Sequence, residues 1–161
     1  SSTTQGLGAK FINTGNEYTN LQFSAARTAA NNALGIINAK WNNNHEVAAI
    51  YLTAGDDTSN KDDGKIRFYT SAASGSLALR LDIQNDGNVT PGANGSQDLG
   101  SSSLRWANVY TSDLDLSNES KGGNDVDGTW GSYTIQEGES DLFLINKRNG
   151  KKYKFNLTEV S

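Results

Sequence analysis

The chain has 161 residues, a formal net charge of −4, and hydrophobic residues make up only 35% of it. Leu, Ile, Val and Phe account for just under a fifth of the residues, which borders on the range of disordered chains, but the low net charge favours folding. The absence of Cys excludes a disulfide frame and a thiolate metal site. No apolar run approaches the roughly 20 residues of a membrane span, and the negative charge gives no electrostatic reason to bind nucleic acid.

Two expectations follow from the composition and from the first residues. A chain with so little apolar material often completes its core with neighbouring copies, so we expect an oligomer. The sequence opens without Met and without a charged-then-apolar signal segment. We therefore expect a fragment or a processed product.

Short patterned runs separated by turn residues follow a polar lead-in at 1–9, and they predict strands. The predicted strands are 9–15 (AKFINTG), 18–26 (YTNLQFSAA), 34–42 (LGIINAKWN), 45–55 (HEVAAIYLTAG), 64–72 (GKIRFYTSA) and 77–84 (LALRLDIQ). In the last of these, Leu and Ile at 77, 79, 81 and 83 alternate with Ala, Arg and Asp, which predicts one apolar face. The sequence NDGN at 85–88 predicts a tight turn.

One segment, 24–34 (SAARTAANNAL), is open to two interpretations. Its alanines could line one face of a helix. The alternative is a polar loop between strands, which the asparagines at 31 and 32 favour slightly because they are poor at a helix end without a clear cap.

Turn-rich segments near 90–100 and at 117–128 predict two boundaries. Beyond the second, 131–160 has the pattern of a three-stranded antiparallel meander. Asn149 and Gly150 predict a two-residue hairpin turn, which would pair Ile145 with Lys154 and Lys147 with Lys152. Leu142, Leu144, Tyr153, Phe155 and Leu157 would then share one face.

Catalytic and metal-binding patterns are weak throughout the chain. His45, the single histidine, follows three asparagines without nucleophile-elbow glycines, so we assign it no catalytic role. The acid-rich loops at 55–64 and 124–128 lack EF-hand spacing, and we predict no metal site and no cofactor. No glycine-rich phosphate loop is present. The four sequons, at Asn88, Asn94, Asn118 and Asn156, are expected by chance in a chain so rich in Asn, Ser and Thr.

Aromatic and cationic residues are the better candidates for a binding surface. Trp41, Trp130 and Tyr133 lie beside polar residues or Gly rather than inside apolar runs, and such rings suit the apolar faces of sugars. An equally acceptable interpretation places both tryptophans in the small core. Four cations surround the predicted hairpin turn, where they could meet an anionic partner or protect an exposed turn; they are Lys147, Arg148, Lys151 and Lys152.

The segment DLGSSSLRWANVYTSDLDLS, 98–117, resembles one that recurs near the C-terminal end of tailed-bacteriophage tail fibres. The stretch from WNNNHEVAAIYLTAG to LRLDIQNDGNV resembles the shaft-type segments of such fibres. The last stretch, from NDVDGTWGSYTIQEGES onward, is similar to the C-terminal module of fibres from phages of marine bacteria and cyanobacteria. Together these stretches cover about 35–161.

The resemblance implies an all-β fold: an elongated homotrimer of short strands with a C-terminal antiparallel β-meander tip. It divides the chain into a lead-in at 1–9, a shaft-like domain at 10–97, a junction at 98–117 and a tip at 118–161. In the junction, a strand with Leu104, Trp106, Asn108 and Tyr110 on one face is expected, with Trp106 and Tyr110 as packing residues.

The function implied is non-enzymatic: a distal fibre segment of the virion that attaches to a host-surface glycan or outer-membrane component and contacts other tail or baseplate proteins. Trp130, Tyr133 and the four cations are the candidate receptor-binding residues. Alternatives are a polysaccharide-degrading tailspike and a purely structural tail component. Many related fibres continue into a self-cleaving chaperone, but SNESKGG at 117–123 departs from its entry motif, so Ser120 and Lys121 receive no catalytic role.

Overall fold

The computed structural model describes residues 12, 14–16, 18–42, 44–73 and 75–160. Over those residues the regular structure is β-strand, apart from one turn of 3-10 helix at Glu119–Lys121. The predicted all-β class is therefore confirmed. The chain forms two compact units that divide between Thr90 and Pro91. The lead-in at 1–9 and most of the predicted strand at 9–15 lie outside the described residues.

The first sheet contains five strands in chain order, and its first four pair antiparallel. They are β1 (Ala33–Trp41), β2 (His45–Ala54), β3 (Gly64–Ser71), β4 (Leu77–Ile83) and β5 (Val89–Pro91). The first four agree with the predicted strands at 34–42, 45–55, 64–72 and 77–84. The predicted turn at 85–88 also forms: Gly87 has a φ of 87° and its N–H donates to the Gln84 carbonyl at 3.0 Å.

Register gives the first sheet one apolar face. Ile37, Ile50, Phe68 and Leu81 lie opposite one another across β1–β4, and directly opposed residues point to the same side. The residues of this apolar face are Gly35, Ile37, Ala39, Ala48, Ile50, Leu52, Ile66, Phe68, Ala78, Leu81 and Ile83, with Thr70 as a polar residue among them and Trp41 continuing the face along β1. The opposite side, the polar face, carries Thr53, Lys65, Arg67 and Asp82, together with a tilted Tyr51–Tyr69 ring pair.

A register shift in β4 corrects one prediction. Phe68 pairs with Leu81, but its neighbour Tyr69 pairs with Leu79, so one extra residue, Arg80, is inserted in β4. Such a bulge reverses the side to which the following residues point. The predicted single face of Leu77, Leu79, Leu81 and Ile83 is therefore wrong, because Leu79 joins Tyr69 on the polar face.

The segment before β1 is irregular. No helix forms over 24–34 and residues 24–32 are neither helix nor strand, which confirms the loop interpretation. The predicted strand at 18–26 is wrong. The Phe23 ring lies against Gly35, where a Cβ atom would collide with it. Hydrogen bonds fix the end of the segment: Asn31 N–H donates to the Ala54 carbonyl at 3.1 Å, and Ala54 N–H donates to the Asn32 carbonyl at 2.9 Å.

The second sheet contains four antiparallel strands, also in chain order. They are β6 (Asp113–Ser117), β7 (Ser132–Glu137), β8 (Leu142–Asn146) and β9 (Lys152–Lys154). The expected junction strand through Leu104 and Tyr110 is wrong, since 98–112 contains no strand and only Asp113–Ser117 extends. Leu114 and Leu116 lie opposite Ile135 and Tyr133 and therefore share a face.

The hairpin between β8 and β9 has a longer turn than the sequence predicts. Ile145 lies opposite Lys152 rather than Lys154, because the loop spans four residues, 147–150. Asn146 N–H donates to the Lys151 carbonyl at 2.8 Å, and Gly150 N–H donates to the Asn146 carbonyl at 2.9 Å. The register moves by two residues, so the faces are kept while the predicted partners, including Lys147 with Lys152, are wrong.

Over the described residues, neither unit closes an apolar core around its own sheet. Of the apolar residues that the structure describes, only Ala49 is buried, and no large side chain among them is fully buried. The buried residues are instead mainly polar, such as Thr53, Lys65 and Asp82 on the first sheet. Each sheet is thus a single layer whose apolar side chains remain partly exposed.

Candidate functional site

Trp130 and Arg148 form the clearest side-chain pair among the predicted binding residues. Trp130 precedes β7 and Arg148 lies in the turn after β8. The Arg148 guanidinium carbon is 4.0 Å from the centroid of the Trp130 ring, a cation–π arrangement. Its Nη1 also donates to the Trp130 carbonyl oxygen at 2.8 Å. The two residues therefore hold one another against the end of the second sheet.

Tyr133 joins this pair through Asn146. The Asn146 side-chain Nδ2 donates to the Tyr133 hydroxyl at 3.1 Å, and its Oδ1 accepts the Arg148 N–H at 2.9 Å. The Tyr133 ring packs against Gly131, where a Cβ atom would come within 2.9 Å of it. We call Trp130, Tyr133, Asn146 and Arg148 the aromatic cluster.

A shallow depression of about 290 Å³ borders the aromatic cluster; Leu116, Ser117, Asn118, Asn124, Gly131 and Tyr133 line it. Gly131 N–H donates to the Asn118 Oδ1 at 2.7 Å. This hydrogen bond connects the residue after β6 to the residue before β7, both of which line the depression. Arg148 Nε and Nη2 have no hydrogen-bond partner among the described residues. The cluster can therefore offer guanidinium donors beside aromatic rings, a combination that suits oxygen-rich ligands.

The structure separates the other predicted cations from the aromatic cluster or engages them elsewhere. Lys147 Nζ forms an exposed ion pair with the Asp115 Oδ2 at 3.3 Å. Lys152 lies opposite Ile145, on the other side of the second sheet from Tyr133. Lys151 is exposed after the turn, where its N–H donates to the Asn149 Oδ1 at 3.0 Å.

Sequence reasoning missed Asn146, the residue that links Tyr133 to Arg148. Its Oδ1 accepts the backbone N–H of Arg148, two residues further along the chain. This arrangement is an Asx turn. An Asn at the last position of a strand, directly before turn residues, is the signal that could have identified it.

Trp106 and Tyr110, the predicted packing residues, lie in the irregular segment 98–112 and are 63% and 93% exposed. A local turn orders the start of this segment, where Ser101 N–H donates to the Leu104 carbonyl at 2.7 Å. The Trp106 ring lies beside Gly100, which has a φ of 91°. Both rings are largely exposed among the described residues, and the role of Trp106 and Tyr110 as packing residues of the junction stays a prediction.

Trp41 and His45 lie opposite each other at the hairpin end of β1 and β2. Trp41 is 70% exposed, so the interpretation of this tryptophan as a core residue is wrong for the single chain. His45 is exposed as well.

The acid-rich loops bind their own backbone. Asp57 accepts the N–H groups of Ser59 and Asn60 at 2.8 and 2.9 Å, and these bonds, with Asn60 first, lower its pKa. The pKa of Asp127 is lowered chiefly by the Thr129 N–H, at 2.9 Å. Over the described ranges, no three His, Cys, Asp or Glu side chains come together as a metal site. These carboxylates therefore stabilise loop geometry.

Comparison with known proteins found no matching family model, no matching curated protein and no matching solved structure. In the part of the chain that the structure describes, no helix has the length and apolar character that crossing a bilayer requires.

Proposed function

We propose that the chain is the distal segment of a viral tail fibre, a non-enzymatic structural protein that assembles as an elongated homotrimer and attaches the virion to the host surface. The observation that carries this proposal is the pair of single-layer sheets with uncovered apolar side chains, since such sheets need neighbouring copies to complete a core. The resemblance of 98–117 to fibre segments agrees with it.

In this proposal the second sheet forms the tip, and Trp130 and Arg148 of the aromatic cluster, which lie outside the strands, contact the receptor. Tyr133 shares its side of the sheet with Leu116 and supports Arg148 through Asn146. Guanidinium donors beside Trp130 suit the hydroxyl and carboxylate oxygens of a surface glycan. Three copies on one fibre, and several fibres on one particle, would convert weak single contacts into high avidity. The other end of the fibre would join further tail or baseplate proteins.

Light scattering coupled to size exclusion tests the assembly. The expected mass is three times the 17.2 kDa of one chain at micromolar concentration. A stable folded monomer at that concentration would contradict the proposal.

Interferometry with surface polysaccharide purified from the bacterial host tests the attachment. Trp130→Ala and Arg148→Ala should each weaken binding by about tenfold or more, as at binding hot spots. Lys152→Ala, on the opposite side of the second sheet, is the control and should bind as the parent chain does. Unchanged binding in both cluster variants would remove the aromatic cluster as the receptor site.

The same polysaccharide distinguishes attachment from degradation. Incubation with the parent chain should release no reducing ends. Their appearance would favour the polysaccharide-degrading tailspike instead, and a trimer that binds no host material would favour a purely structural component.

A further inference from the structure

Within the first unit, the described residues cover the apolar face of the first sheet only at one edge. Ile37 is 50% exposed, Ile66 38% and Leu81 39%, although their strands are paired on one or both sides. Phe23 covers only the position of Gly35 on β1. The face is also uncharged over its aligned positions; Arg80, at the bulge, reaches its margin through a hydrogen bond to Thr70.

The polar face of the same sheet, in contrast, satisfies its charges internally. Lys65 Nζ binds the Asp56 Oδ2 at 3.0 Å and the Asn31 Oδ1 at 3.2 Å. Arg67 donates to the same Asn31 Oδ1 at 2.7 Å through Nη2, and to the Asp82 Oδ2 at 3.2 Å through Nε. These charged groups do not require an outside partner. Among the described residues of β1–β4, Ile36 is the one large apolar residue that is exposed on this face, at 42%, whereas Ile37, Trp41, Ile66 and Leu81 are exposed on the apolar face. The apolar face therefore determines which partner the sheet needs.

We infer that the apolar face of the first sheet is the surface through which copies of this chain pack together, so that their first sheets share one core. This inference rests on the homotrimer of the proposed function and names its interface. The occupant is another copy because an apolar face without Asp, Glu, Lys or Arg at its aligned positions is complementary to itself and offers no charged group to a charged partner.

The area of the face and the cost of folding support the same occupant. The exposed parts of Ile37, Trp41, Ile66 and Leu81 lie on this one face and would contribute to the roughly 800 Å² per partner that a standard interface buries. Because Ile37, Ile66 and Leu81 remain 38 to 50% exposed, the single chain offsets only part of the conformational entropy lost in ordering the first sheet. The cover must therefore be present whenever the sheet is folded, which a host molecule met only at attachment could not provide.

Adjacent residues of β1 allow a matched test. Ile37 lies on the apolar face and Asn38 on the polar face, both are exposed in the single chain, and both are replaced by the same residue. Ile37→Asp places a carboxylate where the inference buries apolar surface, and should weaken assembly of the full chain by about 100-fold or more in analytical ultracentrifugation, because an unpaired buried charge is strongly unfavourable. Asn38→Asp should assemble as the parent chain does.

Two further variants keep the inference falsifiable if Ile37→Asp does not fold. Leu81→Asp tests the same face from β4, and Ile37→Ala should weaken assembly by about tenfold while it keeps the β-type circular dichroism. Trimers of unchanged stability in Ile37→Asp and Leu81→Asp would overturn the inference and leave the homotrimer standing. If Asn38→Asp dissociated as readily as Ile37→Asp, the proposed interface would also be overturned. A monomeric parent chain would contradict the homotrimer itself.

Discussion

Asp82 illustrates how the first sheet handles a buried charge. Its side chain is 5% exposed, and its Oδ2 accepts from Arg67 and from the Gln84 Nε2, at 3.2 and 2.9 Å. Its Oδ1 is buried without a hydrogen-bond partner among the described residues. The carboxylate therefore depends strongly on the Arg67 guanidinium.

Replacement of Arg67 should be among the most destabilising changes in the first sheet. Arg67→Ala leaves the Asp82 charge buried and uncompensated, and we expect a loss of about 3 kcal/mol in the free energy of unfolding. Lys147→Ala breaks an exposed pair with Asp115 and should cost far less, because solvent screens exposed ion pairs. Urea unfolding at one fixed protein concentration measures both. Equal losses in the two variants would contradict this account.

Asp63 connects the loop after β2 to the turn after β4. It accepts the Asp56 N–H at 2.8 Å and the Asn85 Nδ2 at 2.7 Å through Oδ2, and the Asp57 N–H at 3.2 Å through Oδ1. These hydrogen bonds, with that of Asp56 first, lower its pKa below the usual value of 3.8. The ionised form is thus favoured in the folded chain.

The stability contributed by Asp63 should therefore depend on pH. A lowered folded pKa means that the contribution is complete above pH 3.8 and is lost as the pH falls through the folded value. Asp63→Asn should lower the Tm by a few degrees at pH 7, and the gap to the parent chain should narrow as the pH falls below 3.8. Asp62→Asn, at the neighbouring exposed acid, is the control and should follow the parent. A gap of the same size at pH 3 and pH 7 would refute this role.

At the scale of the elements, the turn between β8 and β9 depends on one backbone conformation. Gly150 has a φ of 72°, and no atom lies within 4 Å of the position that a Cβ would occupy. A side chain at this position would therefore meet no steric obstacle but would have to adopt the left-handed conformation, which Asn tolerates better than Ala.

Substitutions at Gly150 should consequently separate conformational strain from packing. Gly150→Ala should destabilise the chain by about 1 kcal/mol, and Gly150→Asn by clearly less. Thermal unfolding followed by circular dichroism at a fixed protein concentration measures the difference. Equal effects of Ala and Asn would show that the left-handed conformation is not the cause.

The strands of the first sheet could be predicted because local and tertiary preferences agree there. Residues 77–84 alternate throughout, and Ile66 and Phe68 alternate with Arg67 and Tyr69 in 64–72, while Asn or Gly residues mark their turns. The alternation could not show where Arg80 would be inserted as a bulge, since that depends on pairing with β3. Residues 104–112 alternate as well, yet they form no strand because no neighbouring strand in the described chain hydrogen-bonds to them.

The candidate site was predictable only as separate residues. Trp130, Tyr133 and Arg148 could be selected from the sequence because each is an aromatic or cationic residue in a polar context. Their contact depends on the four-residue turn at 147–150 that the structure shows. The sequence predicts a two-residue turn at Asn149 and Gly150 instead. The same error placed Lys152 opposite Lys147 instead of Ile145.

At the scale of the whole molecule, uncovered apolar side chains recur in each unit. On the second sheet Leu114, Leu116 and Tyr153 share one side and are 45 to 48% exposed. In the segment 98–112 the apolar side chains at 99, 104, 106, 109 and 110 are all exposed. Since little of this surface is buried in one chain, the stability of the folded state should come largely from association.

The Tm of the full chain should therefore rise with protein concentration, because only association provides the missing burial. An increase from about 1 to 100 μM should raise it by several degrees. Association should also survive about 1 M NaCl, where the Debye length is only about 3 Å, since the apolar face is uncharged and salt reduces repulsion between chains of charge −4. Differential scanning calorimetry and light scattering measure the two effects. A Tm independent of concentration would mean that the single chain stabilises its own fold. Dissociation in salt would mean that ion pairs, rather than apolar contacts, hold the copies together.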